Sequence, residues 1–228
     1  MLEIRRLHLA SLMGADGRDW PVHGFVVMHP KGAVLVDTGV GGPEKVLTDW
    51  RVVNRTAADA LNDHGLVPGD ITFVVNTHLH FDHCGQNAVF KHAPLYVQRS
   101  ELERARLEAR FLTDWFDFAG ARFELLDGDA EVLPGLRVLA TPGHTVGHQS
   151  VVVDGDGEEV LIGDAAYTPA IYGDPDADPS VLPRGQAADS DAWRSSLKRI
   201  HTSQPRHVHF CHHTRVVHAQ SVHGTTQQ

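Results

Sequence analysis

The sequence predicts an α/β fold in which two sheets carry helices on their outer faces. Three observations lead there. Short apolar runs of strand length recur along the chain and are punctuated by only a few helix-like segments. Residues able to hold a metal stand just past the ends of four of those runs, and sheets gather distant sequence at strand ends. A chain of 228 residues can bury one large core, so a single domain spanning residues 1–228 is expected.

The elements follow in order. Ile4–Leu9, Phe25–His29 and Ala33–Asp37 read as strands. Thr56–His64 reads as a helix, because Ala57, Ala60 and Leu61 recur at helical spacing and Gly65 stands where the helix would be capped. The apolar run Ile71–Val75 is a buried strand, and Leu95–Gln98 is another. A long charged helix is expected from about Ser100, with Ser100 as N-cap and Glu103 completing a capping box. Strands follow at Phe123–Leu126, Leu136–Thr141, Ser150–Val153 and Val160–Ile162. A last helix starts near Ser190, with Trp193, Leu197 and Ile200 along one face, and His207–Cys211 forms a further extended run. Pro169 to Ala188 is a loop of about twenty residues with four prolines. It is either one wall of a substrate cleft or an ordered surface loop. The tail after Val222 is polar and is expected to fray.

The chemistry concentrates in Thr77-His78-Leu79-His80-Phe81-Asp82-His83, directly behind Ile71–Val75. Three imidazoles and one carboxylate within six positions let a tight loop aim two histidines at one metal and an Asp-His pair at a second. A chain with 17 histidines can place two together without meaning, but four ligand-type residues behind a strand have few structural uses. Later runs end in Thr141-Pro142-Gly143-His144, in Asp164 and in His212.

Taken together, these motifs resemble the metallo-β-lactamase superfamily of dinuclear metallohydrolases, from about Val34 to His212. Val36-Asp37-Thr38-Gly39 is similar to its early strand-end motif. Within it, His78-Leu79-His80-Phe81-Asp82-His83, Val97-Gln98-Arg99, Pro142-Gly143-His144, Gly147-His148-Gln149-Ser150 and Asp164-Ala165-Ala166-Tyr167 resemble the quorum-quenching N-acyl-homoserine lactone lactonases. Tyr167, three residues after Asp164, discriminates best. Two features depart from those enzymes. The segment between Gly39 and Ala57–Leu66 is short where they often carry a longer loop over the acyl chain, and His213 stands where they commonly place an aspartate.

The resemblance implies an αββα sandwich of the metallo-β-lactamase fold and two divalent metal ions per chain, zinc before iron, cobalt or manganese. His78, His80 and His144 would hold one ion, Asp82, His83 and His212 the other, and Asp164 would bridge them. A bridging hydroxide would open the lactone ring, Tyr167 would donate to the carbonyl oxygen, and Asp82 would carry a proton to the leaving alkoxide. Asp37 would hold the metal loop by hydrogen bonds. The alternative is a hydrolase of the same fold acting on another ester or lactone, a thioester, a β-lactam or a phosphotriester. Against the thioester-cleaving branch, Leu79 stands where that branch carries a further histidine. A metal-keeping sensor without turnover is disfavoured by the complete ligand set.

The remaining features bound the partners. A formal charge of −9 disfavours nucleic acid and anionic membranes, leaving a small-molecule lactone as the expected partner of a monomer or homodimer. No apolar stretch approaches a membrane span and the first residues carry no apolar leader, so a cytoplasmic location is expected. Cys84 and Cys211 read as small buried residues rather than thiolate ligands or a redox switch. His207 and His209 are expected to pack or face solvent, His213, His218 and His223 to lie at the surface, and His148 to stand behind the ligands. Phe111, Trp115, Phe116 and Phe118 read as core before acyl pocket.

Overall fold

β1 (Glu3–Met13) and β2 (Asp19–His29) pair antiparallel over most of their length and run beyond the short segments expected from apolar content alone. In β1 the extra residues Ala10–Met13 alternate between buried and accessible positions, while in β2 Asp19, Trp20 and Pro21 are accessible and Val22, His23 and Gly24 buried, so neither extension reads as an apolar run. β3 (Gly32–Val36) pairs antiparallel with β2. This computed structural model describes residues 2–14, 17–109 and 115–218; Phe111, His223 and the tail after Val222 lie outside the described residues.

The described chain divides into two compact units, residues 2–127 and the residues from 128 onward. In the first, the short α1 (Glu44–Asp49) and β4 (Val53–Asn54) follow β3; neither has the length to leave a periodic signature. α2 (Ala57–Asn62) buries Ala57, Ala60 and Leu61, and the Thr56 hydroxyl accepts from the Asp59 N–H at 3.0 Å as its N-cap. β5 (Ile71–Val75), β6 (Leu95–Gln98) and β7 (Phe123–Leu126) fall where expected. α3 (Arg99–Ala109) starts one residue before Ser100. The sheet order is β4-β1-β2-β3-β5-β6-β7, with β3, β5, β6 and β7 mutually parallel. Parallel neighbours end on the same side, so the residues after β3 and after β5 meet: Asp37 and Thr77-His78. Val34, Leu35, Val36, Val74 and Val75 are all buried, which gives these strands their unbroken apolar runs.

The second unit holds β8 (Ala130–Leu133), β9 (Leu136–Ala140), β10 (Gln149–Gly155), β11 (Gly157–Leu161), β12 (His207–His209) and β13 (Val217–His218). Their order is β13-β12-β11-β10-β9-β8, and only β11 and β12 are parallel. The end of β9, the start of β10 and the ends of β11 and β12 therefore share one edge, and His144, Asp164 and His212 follow there. α4 (Pro169–Tyr172) gives the expected loop its first turn. α5 (Ser190–Thr202) is capped by Asp189, whose carboxylate accepts from the Asp191 and Ala192 N–H groups. It buries Trp193, Leu197 and Ile200 as its spacing predicts; burial of each aliphatic one contributes about 1.5–3 kcal/mol. Among the described residues, no helix is long and apolar enough to cross a membrane.

Candidate functional site

In the first unit the loop after β5 is strapped down by backbone bonds before any side chain is considered. Thr38 N–H donates to His83 O at 2.7 Å, Gly41 N–H to Phe81 O at 2.9 Å, and Gly85 N–H to Gly39 O at 2.9 Å. The two strands of this strap cross at glycines: a Cβ on Gly85 would lie 1.8 Å from Gly41 N, and one on Gly41 would lie 2.1 Å from Gly85 O.

Asp37 organises the side chains. It sits just beyond β3 with φ of +58°, a left-handed conformation that asparagine and aspartate tolerate better than other side chains. That turn aims a buried carboxylate into the loop. Oδ1 accepts from Thr77 N–H at 2.8 Å, and Oδ2 accepts from Thr77 Oγ1 at 2.7 Å and from His83 Nδ1 at 2.8 Å. The His83 bond puts the proton on Nδ1 and leaves the Nε2 lone pair for a metal. His78 Nε2 lies 3.0 Å from His80 Nδ1, near the roughly 3.3 Å that two ligand bonds at a tetrahedral zinc impose. Asp82 Oδ2 lies 3.7 Å from His83 Nε2. All four sequence-derived ligands of this unit are thus in one loop, with the Leu79 N–H held by the buried Glu101 carboxylate at 2.9 Å.

In the second unit the two expected histidines converge on Asp164. His144 Nε2 lies 3.3 Å from Asp164 Oδ2, and His212 Nε2 lies 3.2 Å from Asp164 Oδ1. Each carboxylate oxygen therefore faces a different imidazole. His148 is fully buried behind it. Its Nδ1 donates to Thr141 O at 3.0 Å, which leaves Nε2 to accept the Asp164 N–H at 2.9 Å. The Tyr167 ring stands edge-on to both ligands, with centroids 5.6 Å from His144 and 5.4 Å from His212. Gly143 has φ of +135° and permits the close approach of α5, since a Cβ there would lie 2.3 Å from Trp193 N.

Other residues fall outside these clusters. His209 and His207 face Glu159, at 2.8 and 3.6 Å. The His213 ring accepts the Arg215 N–H, and burial followed by the Arg215 charge lowers its pKa. Phe116 and Trp115 pack with Leu79, Val97 and Leu102, while Phe118 packs against the main core of the first unit. Among the described members of the aromatic group, Phe116 is core, and Trp115 and Phe118 are half-buried against it. Cys84 and Cys211 are buried and form no disulfide. The Cys84 thiol donates to His80 O at 3.2 Å, and burial holds its pKa well above the ordinary range. Cys84→Ser is accordingly expected to keep its metal and most of its activity; stoichiometric metal loss on elemental analysis would make the thiolate a ligand.

Sequence reasoning missed Glu101 and Gln186. Gln186 is fully buried, and its amide bonds the backbone at Asp164 and Tyr167. Neither residue belongs to a spaced motif, so no local signal marks it.

Imidazoles and carboxylates gathered at strand ends in a two-sheet α/β chain describe a metal-ligating hydrolase scaffold. The chain belongs to the metallo-β-lactamase superfamily, whose model matches residues 17–212. It is 34% identical over 208 residues to an N-acyl homoserine lactonase of a Bacillus species, covering 84% of this chain and 79% of that one. Its structure is similar to a crystal structure of a quorum-quenching N-acyl homoserine lactone lactonase, with TM-score 0.77, 27% identity, and 92% and 91% of the two chains covered. It also resembles an N-acyl homoserine lactone hydrolase with N-hexanoyl-L-homoserine bound at its catalytic metal center, with TM-score 0.73, 26% identity and 92% of each chain covered.

Proposed function

We propose that this protein opens the lactone ring of N-acyl-homoserine lactones. The observation that carries the reading is the pairing of each Asp164 oxygen with a different histidine, beside Tyr167. The donor set suits borderline divalent ions, zinc before iron, cobalt or manganese. In the proposal His78, His80 and His144 hold one ion, Asp82, His83 and His212 the other, and Asp164 both. When bound, such ions make water nucleophilic near neutral pH and polarise an ester carbonyl. The two units act as one domain, as a monomer or homodimer in the cytoplasm.

The chain's own groups do the rest. Thr77, Asp37 and Glu101 hold the first loop, so its ligand atoms need little reorganisation. Tyr167 donates its phenolic hydrogen to the carbonyl oxygen as negative charge develops there. Asp82 carries a proton to the leaving alkoxide, and the product is the ring-opened hydroxy acid.

Turnover on a panel of lactones, thioesters, β-lactams and phosphotriesters tests the substrate class; a preference for any class but the acyl-homoserine lactones defeats it. Tyr167→Phe is expected to lower kcat and kcat/KM together by about tenfold, with KM little changed and metal near two per chain. Wild-type rates on homoserine lactones would remove the phenol from the mechanism.

A further inference from the structure

We propose that Gln186 is a positioning residue, whose amide ties the Asp164 backbone to that of Tyr167 and thereby aims the phenol. The proposal rests on the lactonase reading only for what the phenol does in catalysis.

The segment from Asp164 to Tyr167 leaves a single tight turn, Gly163–Ala165, and passes into extended backbone at Ala166. Buried backbone groups in such a place have no strand or helix to pair with and must find side chains. His148 takes the Asp164 N–H. Trp193 Nε1 donates to Ala165 O at 2.7 Å. Gln186 supplies two further anchors: its Nε2 donates to Asp164 O at 2.7 Å, and its Oε1 accepts from Tyr167 N–H at 3.0 Å. One planar amide thus fixes the distance between the carbonyl of Asp164 and the N–H of the phenol-bearing residue. His148 holds the Asp164 N–H from the other side, through an imidazole fixed in turn to Thr141 O.

The loop supplies a second hold. Gln186 N–H closes a turn onto Pro183 O, and Gly185 within it has φ of +91°. A Cβ on Gly185 would lie 3.5 Å from Tyr167 Oη, so the turn passes alongside the hydroxyl. Tyr167 is therefore held at its backbone by Gln186 and flanked at its hydroxyl by Gly185. Glutamine suits the position because it offers a donor and an acceptor without charge; asparagine is one methylene short and methionine offers neither strongly.

The chain has three tyrosines, so ring-carbon-labelled tyrosine gives a countable set of NMR signals, with Tyr167 assigned by its loss in Tyr167→Phe. In metal-free Gln186→Met the Tyr167 signal is expected to shift or broaden while those of Tyr96 and Tyr172 hold. In the metal-loaded enzyme kcat should fall about tenfold with KM little changed, and Gln186→Met/Tyr167→Phe should be no slower than the worse single variant. Losses that multiply to about a hundredfold, or an unmoved Tyr167 signal, would overturn the proposal. Should Gln186→Met fail to fold, Gln186→Asn replaces it: a moved signal supports the proposal, and a wild-type signal with wild-type kcat overturns it. Full activity of Tyr167→Phe would remove the phenol's catalytic role, and the carbon signal in the metal-free protein would still decide the positioning.

Discussion

Asp164→Ala is expected to purify with less than half the metal of the wild type and to lose more than a hundredfold in kcat/KM. Removing a group behind a metal ligand commonly weakens binding by 10–100-fold, and loss of a ligand shared between two ions exceeds that. In the structure this carboxylate is 2% exposed, with one oxygen 3.3 Å from His144 Nε2 and the other 3.2 Å from His212 Nε2. Alanine removes both oxygens and leaves two buried imidazoles facing a gap. His83→Ala removes one nitrogen and should retain more metal. Elemental analysis after dialysis, with rates on a homoserine lactone, reads the comparison. Equal metal in Asp164→Ala and the wild type would end the bridging assignment.

Gly85→Ala is expected to cost about 3 kcal/mol or more, seen as a fall in Tm of about 6–12 °C. The added methyl would lie 1.8 Å from Gly41 N and 2.4 Å from Phe81 O. Both are backbone atoms, so no rotamer change relieves the overlap. The segments that must separate are those joined by the Gly41–Phe81 and Gly85–Gly39 hydrogen bonds, and Phe81 lies between His80 and Asp82. Metal affinity should fall with stability. An unchanged melting curve would rule out so close a crossing of these segments.

The parts legible in the sequence share one property: their determinants are local. β5 and β6 are mostly buried apolar runs and β7 is a half-buried one, and each spans the residues that its sequence predicts. The outer halves of β1 and β2 carry polar residues and Pro21, and only the register between them makes them strands. β13 has only two residues, and β8 lies among the charged residues Asp127, Asp129 and Glu131, which hide its apolar positions. In α3 a capping signal at Ser100 and Glu103 pointed to the right helix, but the helix begins at Arg99, and Glu101 is the carboxylate that bonds the metal loop. The His78–His83 motif and the Asp164–Tyr167 spacing are contiguous and stood out. Glu101 and Gln186 act across 22 and about twenty residues, through single polar side chains whose burial no spacing reveals.

The left-handed turn at Asp37 has a consequence for anyone improving this protein by selection. Its φ of +58° is a conformation glycine adopts without strain and asparagine tolerates, so the backbone alone does not call for aspartate here. Neither reproduces two oxygens accepting from Thr77 and His83. What keeps aspartate at this turn is its partners in the loop, so a library randomised here has to be scored for turnover as well as for folding.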